Sequence, residues 1–486
     1  MTQLYRRMVW IVILLAAAVL FAPPRPAHAA TFTVNSTADA VDANPGNGVC
    51  ATAGGVCTLR AAIQEANALA GADTIVFAVD GTFTLTLTGS GEDAAATGDL
   101  DITGDLTIIG NGQALTIIDG NLSDRVFEAR PIADTTLTVN MSNLTIQRGS
   151  VTGTLAADAG GGILVDVVND SGRTNLTLTN VTITGNTTGN NGGGISINRL
   201  LNDSANPTLT LIDSTIANNN AQNGGGIHCA ACTLNATGST ISSNNATTTG
   251  GGINVTGNTA AISMTNGTLS GNTANNHGGG IAKAFGTGTI AVNFTTITNN
   301  TADANSSGTG DGGGIFTNSN TTIQNSIVQG NTDNSTATLA DCNSSVNITS
   351  NGYNVVGAGT GCPSGGTGDS TAAALLGALA DNGGDTLTHL PGGGSAAINR
   401  IPNGQSGCNG GVSVDQRGAV RADGANRGGA ACDSGAVEAD SSQTPTAVTL
   451  QSFAIHPASP TLLAALLLAA ATLLATFWHR QKTNNP

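Results

Sequence analysis

The sequence predicts an all-β fold, a right-handed parallel β-helix, on three observations. One unit is written six times between Gly160 and Asn331, each opening on three glycines and an isoleucine. Those isoleucines are Ile163, Ile195, Ile227, Ile253, Ile281 and Ile315, at intervals of 32, 32, 26, 28 and 34 residues. A second mark follows in every unit: Ser or Thr, then Ile or Leu, then Asn three or four places on. It pairs Ile183 with Asn186, Ile216 with Asn219, Ile241 with Asn244, Leu269 with Asn272, Ile297 with Asn300 and Ile327 with Asn331. Between the marks apolar and polar residues alternate, as in Leu176-Thr177-Leu178-Thr179 and Leu209-Thr210-Leu211-Ile212, and no helical period interrupts them.

Units of about thirty residues with short strands and no crossover helix coil into a solenoid rather than a doubly wound sheet. Glycine suits corners where φ is positive or coils approach closely, and Asn tolerates the left-handed region while its amide reaches the Asn of the next coil. Stacked isoleucines at one inward position then build the core, with Ile227 and Ile253 on neighbouring coils, and loops absorb the unequal intervals. A low-complexity segment without a fold is the alternative, since Gly is 67 of 486 residues and only 10% are charged. The constant offset of apolar residues from the glycines argues against it.

The chain begins as an export signal does. Arg6 and Arg7 precede an apolar run from Val9 to Phe21, and Ala27-His28-Ala29 supplies small residues for cleavage, so the mature chain is expected to start at Ala30. Without the three arginines of the leader and without Arg480 and Lys482, 11 basic residues face 31 acidic ones. A surplus of about twenty negative charges argues against nucleic acid as a partner. It attracts cations, but no site for a structural Ca²⁺ can be located from the sequence.

Eight cysteines fall into close pairs: Cys50 with Cys57, Cys229 with Cys232, Cys342 with Cys362 and Cys408 with Cys432. In an exported chain four local disulfides are the first reading. A metal site at His228, Cys229 and Cys232 is the sharper alternative, but it lacks a fourth ligand.

From Cys57 to Asn67 the chain reads Cys-Thr-Leu-Arg-Ala-Ala-Ile-Gln-Glu-Ala-Asn, with Leu59, Ala62, Ile63 and Ala66 at helical spacing behind Thr58 as N-cap. A short amphipathic helix here can close the open end of the first coil. The segment resembles the CSLREA motif at the start of bacterial surface β-helix proteins. Asp105-Leu106-Thr107-Ile108-Ile109-Gly110, Leu115 to Gly120 and Arg125-Val126-Phe127 resemble the first coils of those proteins. The Gly-Gly-Gly-Ile and Ile-x-x-Asn marks resemble the paired repeats of polymorphic outer-membrane proteins, with Ile or Leu in place of Phe. Asn351 to Gly357, Leu379 to His389, Asp415-Gln416-Arg417-Gly418 and Cys432 to Glu438 resemble the choice-of-anchor Q module. The resemblance implies a β-helix ended by a module that hands over to a surface anchor.

Thr461 to Trp478 is an uncharged apolar run of 18 residues, about 27 Å as a helix. His479, Arg480 and Lys482 behind it place the ectodomain outside and a short tail inside. No Leu-Pro-x-Thr-Gly or Pro-Glu-Pro precedes it, which favours permanent insertion over processing. The expected organisation is a leader over 1–29, an N-terminal cap over 30–100, coils over 101–335, a closing module over 336–438, a linker over 439–460, a membrane span over 461–478 and a tail over 479–486.

Many parallel β-helices cleave uronic-acid polysaccharides, with clustered Asp for hydrolysis or Ca²⁺ and a basic residue for elimination. Between Ile163 and Asn331 the acids are Asp166, Asp170, Asp203, Asp213, Asp303 and Asp311, and the bases are Arg173, Arg199 and Lys283. The residue before the glycines is Asn191, Asn223, Thr249, His277 and then Asp311, so His277 and Asp311 are expected to stack on adjacent coils as the weak catalytic candidate. His389 belongs to the closing motif and is expected to be structural. The reading is therefore a non-catalytic, membrane-anchored β-helix presenting Thr/Asn-rich faces for adhesion, matrix contact or glycan binding. The alternative is a pectate-lyase-like lyase or a glycoside hydrolase, favoured by three or more acids, or acids with Arg, on one groove.

Overall fold

One coil shows how the repeat folds. After Gly224 to Gly226 comes the strand Ile227–Ala230, then Thr233–Thr237, a bend, Thr240–Ser242, a corner at Asn244, and Asn245–Thr249 leading into the next glycines. The computed structural model describes residues 29–439 apart from 133–134, 154, 168–171, 200–205, 336–339, 347, 358–360 and 422–430, and in it such coils stack into a parallel β-helix. Strands that follow the glycines form a nine-stranded sheet from Leu100–Ile102 to Cys342–Ser344. Those that precede the glycines form a seven-stranded sheet from Ser150–Val151 to Thr332–Asp333. The strands between make a nineteen-stranded sheet of two columns, one from Thr31–Val34 to Ile348–Ser350, the other from Gly81–Thr84 to Val355–Val356. The expected leader but for its last residue, the linker but for its first, the membrane span and the tail lie outside the described residues. Among the described residues no helix is long and apolar enough to cross a membrane.

The six isoleucines after the glycines pair in one row, Ile163 with Ile195, then Ile227, Ile253, Ile281 and Ile315, and all are fully buried. Each contributes about 1.5–3 kcal/mol by leaving water. Intervals between strands vary without disturbing this row: Arg199 is followed by a strand at Thr208, whereas Ala230 is followed by one at Thr233. The second mark holds through Ile297 and then shifts. Val328, not Ile327, pairs with Ile297 in the inward row, and Ile327 takes the outward place of Thr296. It is buried there with Val355, Ala374 and Ala397, so the Ile-to-Asn spacing of four marks an outward isoleucine covered by a later segment.

The corners divide their labour. The first glycine of each triplet is left-handed, with φ between 63° and 68° from Gly160 to Gly312. The second and third are needed for close approach: a Cβ on Gly225 would stand 2.5 Å from Asn245 O, and one on Gly226 would stand 2.7 Å from Gly252 O. At the other corner the expected left-handed Asn is corrected by one residue. Asn218, Ser243 and Asn299 carry the positive φ, and the Asn that follows is buried and bonded along the axis. Asn186 Nδ2 donates to Asn219 Oδ1 at 3.0 Å, Asn219 to Asn244 at 3.0 Å, Asn244 to Asn272 at 3.0 Å, Asn272 to Asn300 at 2.8 Å, Asn300 to Asn331 at 2.9 Å and Asn331 to Asp341 at 2.8 Å.

The helix Leu59–Ala68 starts on Thr58, whose hydroxyl accepts Ala61 N–H, and it packs on the strands Thr31–Val34, Asp73–Phe77 and Leu100–Ile102. It closes the first coil as expected but has no solvent face over its first eight residues, because Arg60, Gln64 and Glu65 are buried too. Glu65 accepts backbone N–H groups from Gly46, Asn47 and Gly48, and Gln64 accepts that of Asp42, so the 36–57 segment folds over the helix.

At the other end the chain returns as a strap along the outer face of the second column. Thr386 Oγ donates to Gly238 O, Gln416 binds Thr240 and Thr268 of adjacent coils, and Ala436 N–H reaches Thr296 Oγ. Buried Arg421 stacks 4.2 Å over Phe294 and bonds Asn266 and Glu438. The outer face of the first column carries one uncharged row through eleven coils, polar at every rung but Ala291: Thr31, Thr74, Thr107, Asn140, Thr177, Thr210, Asn235, Ser263, Ala291, Thr322 and Thr349.

Replacing Asn244 by Ala orphans the buried N–H of Asn219 and breaks the axial row. Unfolding by denaturant should show a loss of about 3 kcal/mol, against less than about 0.5 kcal/mol for exposed Asn220→Ala.

Candidate functional site

The structure settles the cysteines first. All four expected disulfides form, Cys50–Cys57, Cys229–Cys232, Cys342–Cys362 and Cys408–Cys432. The metal reading at His228, Cys229 and Cys232 is thereby corrected, since both sulfurs are bonded to each other. His228 is buried, and its Nδ1 takes the Asn254 amide N–H at 3.0 Å. Burial pushes the imidazole down to about 4.

His277 and Asp311 do meet at the glycine corner. Gly278 N–H donates to Asp311 O, and His277 Nδ1 lies 3.5 Å from Asp311 Oδ2. Phe316 stacks on the imidazole with centroids 4.2 Å apart. About a third of each polar side chain is exposed, 32% and 30%. The corner offers one base and one carboxyl, whereas glycoside hydrolysis uses two carboxyls. His389 is structural as expected: its Nδ1–H donates to Gly377 O at 2.7 Å and Nε2 accepts the Ser270 hydroxyl at 2.8 Å, tying the strap to the sheet. Asp213 sits at a left-handed bend beside a cleft of about 290 Å³ under the strap. Burial, and then the charge of Asp385, raise its carboxyl. Lys283 points inward, donates to Gly257 O and Phe285 O, and is lowered by burial to about 8. Asp170 and Asp203 lie outside the described residues.

The densest charge constellation is one that counting within the repeats misses. Asp101 and Glu128 pair across the first two strands of the nine-stranded sheet. Asp93 joins them, with oxygens of all three within 4.8 Å of one another. Arg130 bonds Asp93 and lies 3.8 Å from Glu128, while Arg125 lies 2.8 Å from Asp99 and 3.6 Å from Glu128. Burial raises Asp101 to about 7, and burial raises Asp99 well above its ordinary value despite Arg125. Three carboxylates could hold a hard cation such as Ca²⁺, but the two guanidiniums already supply positive charge there. Access is narrow: Asp101 is 2% and Glu128 8% exposed. The nest pins the preceding loop, for Asp101 Oδ2 accepts Ala95 N–H, and Arg60 donates to the carbonyls of Ala95, Gly98 and Asp99 while pairing with Asp39 at 2.6 Å. Arg60 and Glu65 of the helix are thus structural.

These ladders, corners and disulfides define a disulfide-bonded parallel β-helix with a buried helical cap and a C-terminal strap. No protein-family model matches the chain, and no curated protein matches it in sequence. The solved structure of a pectate lyase, Pel9A, aligns with it at a TM-score of 0.47 and 14% identity, covering 84% of this chain and 97% of that one.

His228 gives a pH dependence of known sign. Its folded value lies below the ordinary 6.5, so the unfolded chain binds the proton first and stability is lost as pH falls from about 6.5 toward 4. Relative to His228→Asn, the native chain should lose about 3 kcal/mol between pH 7 and pH 4, read from denaturant midpoints at each pH.

Proposed function

We propose that the chain is an exported, membrane-anchored β-helix that works by display, presenting uncharged polar faces to glycan or protein surfaces outside the cell. The observation that carries this is the eleven-coil row from Thr31 to Thr349, which holds no charged side chain. The most buried titratable groups are committed elsewhere: the acid nest holds the cap, Arg421 and Glu438 hold the strap, and His228 is locked against Asn254. Four disulfides suit an oxidising compartment. The apolar leader and the 461–478 run supply export and anchoring. The CSLREA-like start and the choice-of-anchor-Q-like end support the same placement. The strap suits the second role, because its described residues run to Ala439, where the expected linker begins in the sequence.

A second reading rests on Asp101. A carboxyl raised to about 7 beside Glu128 has the electrostatics of a general acid with a neighbouring carboxylate. The full chain should turn over no polyuronate or neutral glycan in a reducing-end assay. Turnover abolished by Asp101→Asn would establish the hydrolase reading at the nest, and turnover abolished by His277→Ala or Asp311→Ala would place it at the glycine corner.

A further inference from the structure

Polar rows run along this helix on several sides, and they differ in what their side chains bond. In the corner row every Asn amide from Asn186 to Asn331 is engaged by its neighbour. On the seven-stranded face, Asn245 Nδ2 donates to Asn220 Oδ1 at 2.7 Å and Thr273 Oγ donates to Asn245 Oδ1 at 2.7 Å. On the second column the hydroxyls of Thr240, Thr268 and Thr296 are bonded by the strap. The row on the first column is different. Among the described residues, Thr107, Asn140, Thr177, Thr210, Asn235 and Thr322 have no side-chain hydrogen-bond partner in the protein, and all six are half-buried. They stand in straight register on a continuously hydrogen-bonded sheet, which spaces their donors and acceptors in advance and lowers the backbone ordering cost of binding.

We propose that this row is the contact face and that its ligand is an extended, uncharged polysaccharide lying along the helix axis. The inference rests on the display reading and specifies its face and ligand class. Three features of the row select the ligand. It carries no charge, and neither does the row beside it from Thr33 through Thr179 to Gln324, so a charged polymer finds no counter-charge along either row. It offers no aromatic or Arg anchor, the groups on which protein interfaces concentrate their affinity. Its groups recur in every coil but that of Ala291, at about 4.8 Å, close to the length of one sugar in an extended chain, over a span of about 48 Å for ten steps. Each rung contributes about 0.5–1.5 kcal/mol, and many weak rungs on one polymer sum to useful retention.

The test is retention of the full chain on insoluble cellulose, chitin and mannan, with immobilised pectate and a protein-coated surface alongside. Thr177→Val, Thr210→Val and Thr322→Val together remove three hydroxyls and keep the β-branched shape. This triple variant should bind a neutral polysaccharide at least about tenfold more weakly, while Thr187→Val with Thr301→Val on the seven-stranded face should leave binding unchanged. Thermal midpoints check that each variant is folded; should the triple variant prove unstable, Thr210→Val alone should still weaken binding measurably. Retention lost with the second pair but not the first set would overturn the face and leave display standing. Retention on pectate or protein but on no neutral polysaccharide would overturn the ligand class alone. Retention on no surface would sink both this inference and the display reading.

Discussion

A chain wound into coils must turn its backbone at the same height in every layer, where its polar groups are packed away from water. An unpaired buried N–H or C=O costs about 1–3 kcal/mol, so a corner repeated through many coils must be satisfied each time. Here the Asn row does this, each amide serving the next coil through both its side chain and its neighbour's backbone: Asn219 N–H and Nδ2 both donate to Asn244 Oδ1. The row ends on Asp341, which accepts the last amide without needing a further donor from another Asn. The glycines solve the opposite corner sterically, with one left-handed residue and two that let neighbouring backbones touch.

Much of this was legible because a solenoid repeats its physics in sequence. The isoleucine row, the Asn row, the Thr58 cap and the four local disulfides each follow from residues at fixed offsets or close spacing. Where legibility failed, the cause was contact between segments distant in sequence. Ile327 matched the inward pattern, but the strap buries it on the outside, and nothing near it in sequence announces that. The helix looked amphipathic because Arg60, Gln64 and Glu65 are polar, yet each is buried against backbone groups of the loops around it.

The candidate site divides the same way. His277 and Asp311 were found by counting from the glycines. Asp101 and Glu128 were not, because they lie before the regular units, where no glycine triplet marks the position they share with Leu164 and Ser196. The available signal was local: Leu100-Asp101-Ile102 and Phe127-Glu128-Ala129 have the same apolar-acid-apolar form, which places both acids on the outward side of paired strands. Charge in this molecule collects at the cap and strap, where irregular segments need anchoring, and is absent from the long row on the first column.

The strap imposes an order on folding. Thr386 binds Gly238 across 148 residues, and Gln416 binds Thr240 across 176. Neither partner is in place until its coil has formed, whereas each coil needs only the one before it. Coils can therefore propagate by local steps while the strap closes a long loop and docks last. Until it does, Ile327 and the hydroxyls of Thr240, Thr268 and Thr296 face solvent, which makes the second column the surface most prone to mispairing in a half-folded chain.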